Sequence, residues 1–140
     1  MKIDLKMDPP TATSQENKVA FVGGKMMHYK SKGAKETFKV LTKALKPYAP
    51  EEPMDGPIRL VVLWRFPKGK SHKHNEWKTS KPDTDNLQKM LKDCMTDCGF
   101  WKDDAFVCRE VISKIWHDPD EKHGVLISIT DLSTPQGENS

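Results

Sequence analysis

Six aspartates stand in the stretch KPDTDNLQKMLKDCMTDCGFWKDDAFV: Asp83, Asp85, Asp93, Asp97, Asp103 and Asp104. Carboxylates this close repel one another unless something cationic sits among them. Leu87, Leu91, Cys94 and Cys98 recur at helical spacing and Gly99 supplies a stop. The spacing therefore predicts a helix from about Asp85 or Asn86 to Cys98. Asp85, Lys89 and Asp93, at i, i+4 and i+8, climb its polar face. Asp83 and Asp85 flank Thr84 in a Pro-led segment expected to be extended, where side chains two apart point the same way. Asp83, Asp85, Lys89 and Asp93 would then converge near the helix N-terminus. Asp103 and Asp104, four residues past the stop, can return beside them through a short loop. A hard divalent cation such as magnesium takes oxygen ligands of this kind and keeps several waters. With an ion bound, the cluster can face a phosphate rather than reject it. That is the chemistry of phosphodiester hydrolysis, where the ion activates water and steadies the leaving alkoxide. A lysine such as Lys89 offsets the charge growing on the phosphorane.

Each acid also has an ordinary reading. Asp85 can serve as an N-cap. Lys89 can pair with Asp85 or Asp93, contributing about 0.2–0.5 kcal/mol. Asp103 and Asp104 can form a turn, and Asp97 reads most simply as a solvated helix residue. None of these explains why carboxylates gather beside two basic bands. From Lys18 to Lys46, lysines at 18, 25, 30, 32, 35, 39, 43 and 46 face one acid, Glu36. From Arg65 to Lys81, Arg65, Lys68, Lys70, Lys73, Lys78 and Lys81 face Glu76. The net charge of +3 hides this unevenness. Such bands suit a polyanionic partner, against the plainer reading of a solvated lysine surface. Lys35, Lys39, Lys43 and Lys46 form a stripe able to track a phosphate backbone, with binding that weakens steeply with salt. Lys70, Lys73, Lys78 and Lys81 are candidate DNA contacts. Trp77 among them either stacks on an unpaired base or pegs its loop shut.

The elements that must position these residues read as α+β. KIDLKM alternates as a half-buried strand would and DPP ends it. KVAFVGGKMMHY reads as a hairpin or irregular strand pair around Gly23-Gly24. Phe38, Leu41, Leu45 and Tyr48 mark an amphipathic helix over about 34–48. IRLVVLWRF, Ile58 to Phe66, is nearly continuously apolar, as in a strand covered on both faces. PKGKSHKHNEWKTSKP follows as an exposed, mobile basic loop. FVCREVISKIW and GVLISITDL are two strands joined by HDPDEKH. The expectation is one mixed sheet of about four to six strands with two principal helices. A chain of 140 residues suits one domain, 1–132, with 133–140 as a disordered tail.

At PDTDNLQKMLKD and GFWKDDAFV the chain resembles the RusA family of Holliday junction resolvases, whose pattern is Asp-x-Asp-Asn-Leu-x-Lys followed by an Asp-Asp pair. The likeness is dense over Lys81 to Val107. It implies metal-binding carboxylates at Asp83, Asp85 and Asp104, with Asp103 as a helper or further ligand. It also implies a catalytic lysine at Lys89 and a supporting acid at Asp93. The family acts as a homodimer on four-way or branched DNA, nicking two opposing strands with magnesium, or manganese in its place. A two-fold dimer matches a nearly two-fold junction. Small stand-alone members are often phage or prophage products. The Lys-rich N-terminal half and the KGKSHKHNEWK loop depart from the family pattern.

Two other function classes fit the same residues: a branched-DNA-binding module that does not cut, and a metal nuclease for flaps or other branched DNA. His72, His74 and the cysteines match no usual zinc spacing, so no zinc is expected. The histidines are expected in a DNA-contacting loop. Trp64 and Trp116 read as core, Phe100 and Trp101 as core or subunit interface. Cys94, Cys98 and Cys108 form no secreted-type disulfide framework. No apolar run approaches a membrane span, and MKIDLKMDPP lacks a signal core. The setting expected is the reduced cytoplasm. Activity should fall at acid pH, where protons compete with metal.

Overall fold

The computed structural model describes residues 1–11, 17–22, 25–30 and 32–133, and their side chains apart from those of 17–32 and Ala34. Its elements are β1 (Lys2–Lys6), β2 (Asn17–Val22), β3 (Lys25–Lys30), α1 (Lys32–Leu45), β4 (Ile58–Pro67), α2 (Thr84–Cys98), β5 (Val107–His117) and β6 (Gly124–Asp131). Four strands form a mixed sheet in the order β1-β6-β4-β5, and β2 pairs with β3 in a separate sheet. The fold is α+β with two principal helices, as expected. The expected hairpin is the antiparallel β2–β3 pair, Asn17 opposite Lys30 and Val22 opposite Lys25. The expected C-terminal tail lies outside the described residues from position 134 onward.

Residues of β4 alternate. Ile58, Leu60, Val62, Trp64 and Phe66 are buried, while Arg59, Val61 and Leu63 are only partly covered. The strand is therefore covered on one face, not both. Both helices lie against the core side. On the other side, Val61 stands opposite Val111 of β5, and Leu63 opposite Leu126 of β6. An apolar strip thus crosses the open face of the sheet.

β4 and β5 are parallel neighbours. Parallel strands need a long crossover, which here is the loop 68–83, α2 and the segment 99–106. This connection lays α2 across the core face. β6 follows β5 after a short link, yet it pairs antiparallel with β4 and β1 on the far side.

The core is one cluster in which Leu87, Met90, Leu91, Cys94 and Met95 of α2 meet Leu41 and Leu45 of α1 and the inward residues of the sheet. Full burial of each such aliphatic side chain stabilises by about 1.5–3 kcal/mol. Gly99, at φ 84°, ends α2. Its N–H donates to Thr96 O at 3.1 Å and that of Phe100 to Met95 O at 3.0 Å, the paired bonds of a Schellman terminus. Phe100 and Trp101 then turn into the core, where Trp101 Nε1 donates to Thr96 Oγ1 at 2.8 Å. α1 begins at Lys32 and stops at Leu45, and Lys46–Tyr48 tighten into a 3-10 turn containing Pro47. The change of pitch carries Tyr48 out to solvent, so it does not complete the apolar stripe.

All three cysteines are free. Cys94 packs between the helices with Sγ directed at Phe38 O, 3.8 Å away, and burial pushes its thiol up to about 12. Cys108 is exposed. Thiolates, not thiols, react. Brief alkylation of native protein should therefore modify Cys108 first and leave Cys94 intact, as read by peptide mass mapping. Equal rates at the two would contradict this packing.

Candidate active site

α2 lies alongside β5, with Lys92 Nζ bonded to Glu110 Oε1 at 2.6 Å. At the helix's other end, Lys114 Nζ donates to the carbonyls of Ser80 and Pro82, both at 2.6 Å. Lys114 thus ties down the segment that enters the helix. Between helix and strand lies a groove of about 350 Å³, lined by Thr84, Asp85, Gln88, Lys89, Lys92, Asp93, Asp104, Glu110 and Ile112. The polar stripe Asp85, Lys89 and Asp93 reaches it as the i, i+4, i+8 spacing requires.

The start of the helix differs from expectation. Thr84 is already helical and Asp83 occupies the cap position at φ −72° and ψ 152°, with no side-chain capping bond. Asp85 is therefore a first-turn residue rather than the cap, where the helix dipole favours its charge. An extended Asp83-Thr84-Asp85 no longer exists to align the two carboxylates, and Asp83 is not among the groove's lining residues.

The Asp-Asp pair divides its work. Asp103 Oδ1 accepts from the Ala105 N–H at 2.9 Å and caps the turn 104–106, while Asp104 reaches the groove. Asp103, Asp104, Asp93 and Asp97 also border an adjoining hollow with Thr96 and Lys102. Among the described residues, Lys89 has no ion pair within 4.0 Å, so the helix salt-bridge reading does not apply; the pair that forms is Lys92 with Glu110. Sequence reasoning missed Glu110, Gln88, Lys92 and Lys114. The only signal for Glu110 was its place on a strand, and that becomes useful once Glu110 is known to sit opposite Leu60 on the core-facing side.

The basic loop after β4 is exposed but not loose. Asn75 N–H donates to Trp116 O at 2.7 Å, Trp116 N–H to Glu76 O at 2.8 Å, and Lys78 N–H to Lys114 O at 3.1 Å. These bonds also cover part of the outer edge of β5, which an unpaired strand would leave open. His72 stacks on Trp116 with centroids 4.3 Å apart and meets Glu76 Oε2 at 2.6 Å. That hydrogen bond chiefly holds the Glu76 carboxyl below its ordinary pKa. His72 is thus the loop's peg, and Trp77 projects into solvent at 69% exposure. His74 Nδ1 accepts from the Asp118 N–H at 3.0 Å, so it too has a structural task.

Lys35, Lys39, Lys43, Lys70, Lys73 and Lys81 are exposed. Lys78 is not. It is 7% exposed, its Nζ lies 4.4 Å from the Trp116 ring centroid and donates to Ser80 Oγ. Burial, and then the nearby Lys114 charge, lower its pKa. Lys78 is a packing residue rather than a DNA contact. Lys78→Met should leave DNA affinity within about twofold, whereas Lys81→Ala should weaken it and reduce the salt slope by about one. Equal losses in a salt titration would overturn this distinction.

The donor set suits a hard divalent ion: Asp85, Asp93, Asp104 and Glu110 offer carboxylate oxygens to one groove. Among the described residues, no three His, Cys, Asp or Glu already gather as a ligand cluster. An ion would therefore have to draw the carboxylates together.

A groove of carboxylates and lysines beside an exposed basic loop, on a small α+β scaffold, is the arrangement of a nucleic-acid-cleaving domain. The chain belongs to the family described as Endodeoxyribonuclease RusA, whose profile matches residues 8–130. It is similar to the crossover junction endodeoxyribonuclease rusA of Lactococcus phage r1t, at 29% identity over 133 residues, 94% of this chain and 98% of that one. Among the described residues, no helix is long and apolar enough to cross a membrane.

Proposed function

We propose that this endodeoxyribonuclease resolves Holliday junctions by paired nicks in opposing strands, with magnesium, or manganese in its place, held in the groove between α2 and β5. The observation that carries the reading is that Asp85, Asp93, Asp104 and Glu110 line one groove with Lys89, which has no ion pair among the described residues. The relative's printed name supports the junction as substrate. When bound, the ion polarises phosphoryl oxygens and lowers the pKa of water. The chain's own residues do the rest. Asp85 and Asp104 would hold the ion, Asp103 fixes the turn that presents Asp104, and Lys89 would offset charge on the phosphorane. Asp83, by resemblance a ligand, stands one residue outside the groove and would join only when the ion draws it in. The exposed lysines of α1 and of the 70–81 segment track the backbone, while Trp77 offers a ring to an unpaired base at the crossover.

A homodimer through the open face of the sheet is part of this proposal. Its support is the apolar strip of Val61, Leu63, Val111 and Leu126, with Val111 48% exposed, and the two-fold character of the substrate. Val111→Asp should convert a dimer to a monomer in light scattering; an unchanged mass would place the interface elsewhere. Three free cysteines suit a reduced cytoplasmic setting.

The functional reading is tested by incubating labelled four-way junction and matched duplex with the protein and magnesium. Symmetric nicks in opposing strands of the junction, absent from duplex and from chelated controls, are expected. Tight junction binding without nicking in magnesium or manganese would contradict it.

A further inference from the structure

Gln88 sits on the α2 face that lines the groove, one turn after Asp85 and one turn before Lys92. It is 2% exposed, and among the described residues neither Oε1 nor Nε2 has a hydrogen-bond partner. Buried polar atoms are almost always satisfied, and leaving both ends of an amide unpaired destabilises a fold. Nothing in the packing requires an amide there, since Leu or Met would fill the same length of helix surface. Of the groove's neighbouring charges, Lys92 Nζ donates to Glu110 Oε1 at 2.6 Å rather than to Gln88. A side chain kept polar at the bottom of a charged groove, at the expense of stability, is one whose partner arrives with the ligand.

We infer that Gln88 is a positioning residue for a hydrated divalent cation carrying a phosphate. Oε1 accepts a hydrogen bond from a water on the cation, and Nε2 donates to a non-bridging phosphate oxygen. A neutral amide suits this place because it adds no charge to a groove that already holds four carboxylates. It orients water without competing with them for the ion itself. The inference rests on the groove being the cation-dependent centre proposed above.

The test uses the full chain and three variants: Gln88→Leu, Gln88→Glu and Asp85→Asn. Three quantities are read: melting temperature without metal, the dissociation constant for Mn2+ alone by calorimetry, and the Mg2+ concentration that half-saturates junction nicking. Outer ligand partners typically affect affinity by about 10–100-fold. Gln88→Leu should melt at or above the wild-type temperature, bind Mn2+ about tenfold more weakly and need correspondingly more Mg2+. Gln88→Glu keeps an acceptor oxygen and should keep Mn2+ affinity at or above wild type. If Leu is not accommodated, Gln88→Met supplies the same comparison at closer length. A folded Gln88→Leu with wild-type Mn2+ affinity and Mg2+ dependence, while Asp85→Asn loses both, overturns the role of Gln88 and leaves the groove intact. If wild-type protein neither binds Mn2+ nor nicks the junction, the groove reading itself fails and the inference falls with it.

Discussion

Asp85→Asn and Asp104→Asn should each slow junction nicking on the order of 10³-fold, about 4 kcal/mol of transition-state stabilisation, while leaving junction binding close to wild type. Asparagine keeps the size of the side chain and one carbonyl oxygen, so only the charge that holds a cation is lost. Neither aspartate makes an ion pair within the protein among the described residues, so neither substitution removes a structural contact. Thermal stability should stay the same or rise slightly for Asp104→Asn, which relieves repulsion among the groove's carboxylates. It should change little for Asp85→Asn, where that relief is offset by loss of a charge the helix dipole favours. Single-turnover rates with binding measured in parallel separate the two effects. Asp97→Asn, on the solvated side, is the control and should change little. Asp103→Asn retains an oxygen able to accept from the Ala105 N–H and should lose far less than Asp104→Asn. Nicking within tenfold of wild type in both main variants would remove these residues from the chemistry. Loss of binding together with nicking would make them structural.

The second large effect is expected far from the groove. Gly124 opens β6 at φ +140°, and a Cβ there would stand 1.9 Å from the backbone oxygen of Leu5. The obstacle is the main chain of β1, paired with β6 through Leu5 opposite Val125, so no side chain can simply move aside. Gly124→Ala combines that collision with a backbone conformation that alanine disfavours. It should destabilise by about 4 kcal/mol or more, lowering the melting temperature by roughly 10 °C, or prevent folding altogether. Ile3 and Leu5 of β1 would lose their place in the core under α1 and α2. A Gly124→Ala protein that melts within a few degrees of wild type would show that β1 does not pass over β6 as described. Because the groove is built by α2 and β5, a mild residual form should still nick DNA at low temperature.

Much of the site was legible in the sequence because helices carry their geometry in local spacing. Asp85, Lys89 and Asp93 had to share a face, and Gly99 had to end the helix. The contribution of Asp104 followed from a short return. What stayed hidden depends on neighbours that spacing does not name. Glu110 enters the groove only because β5 lies parallel to β4, with Glu110 opposite Leu60, and periodicity does not choose parallel over antiparallel. The insertion of β6 between β1 and β4 was hidden for the same reason. The extended segment expected to align Asp83 with Asp85 is not formed because the helix starts at Thr84, a shift of one residue that spacing does not settle. Lys78 reads as one lysine among many until the edge of β5 captures its backbone and Trp116 takes its ammonium. Whether Trp77 pegs the loop was open in the sequence for a similar reason, since which ring faces Trp116 depends on the loop's path, and that ring is His72. The continuous apolar run of β4 suggested two covered faces; its second face lies open and is the surface proposed for a partner subunit.

The cation site proposed between α2 and the segment from Asp103 to Glu110 can be mapped directly. The most direct test replaces magnesium with Fe2+, adds ascorbate and peroxide, and maps the polypeptide cuts made by radicals released beside the ion. Cuts near residues 85–93 and 103–110, suppressed by excess Mg2+ and lost in Asp85→Asn, are the expected result. Cuts concentrated instead around His72–His74 and His117–His123, or a pattern indifferent to Asp85, would contradict it.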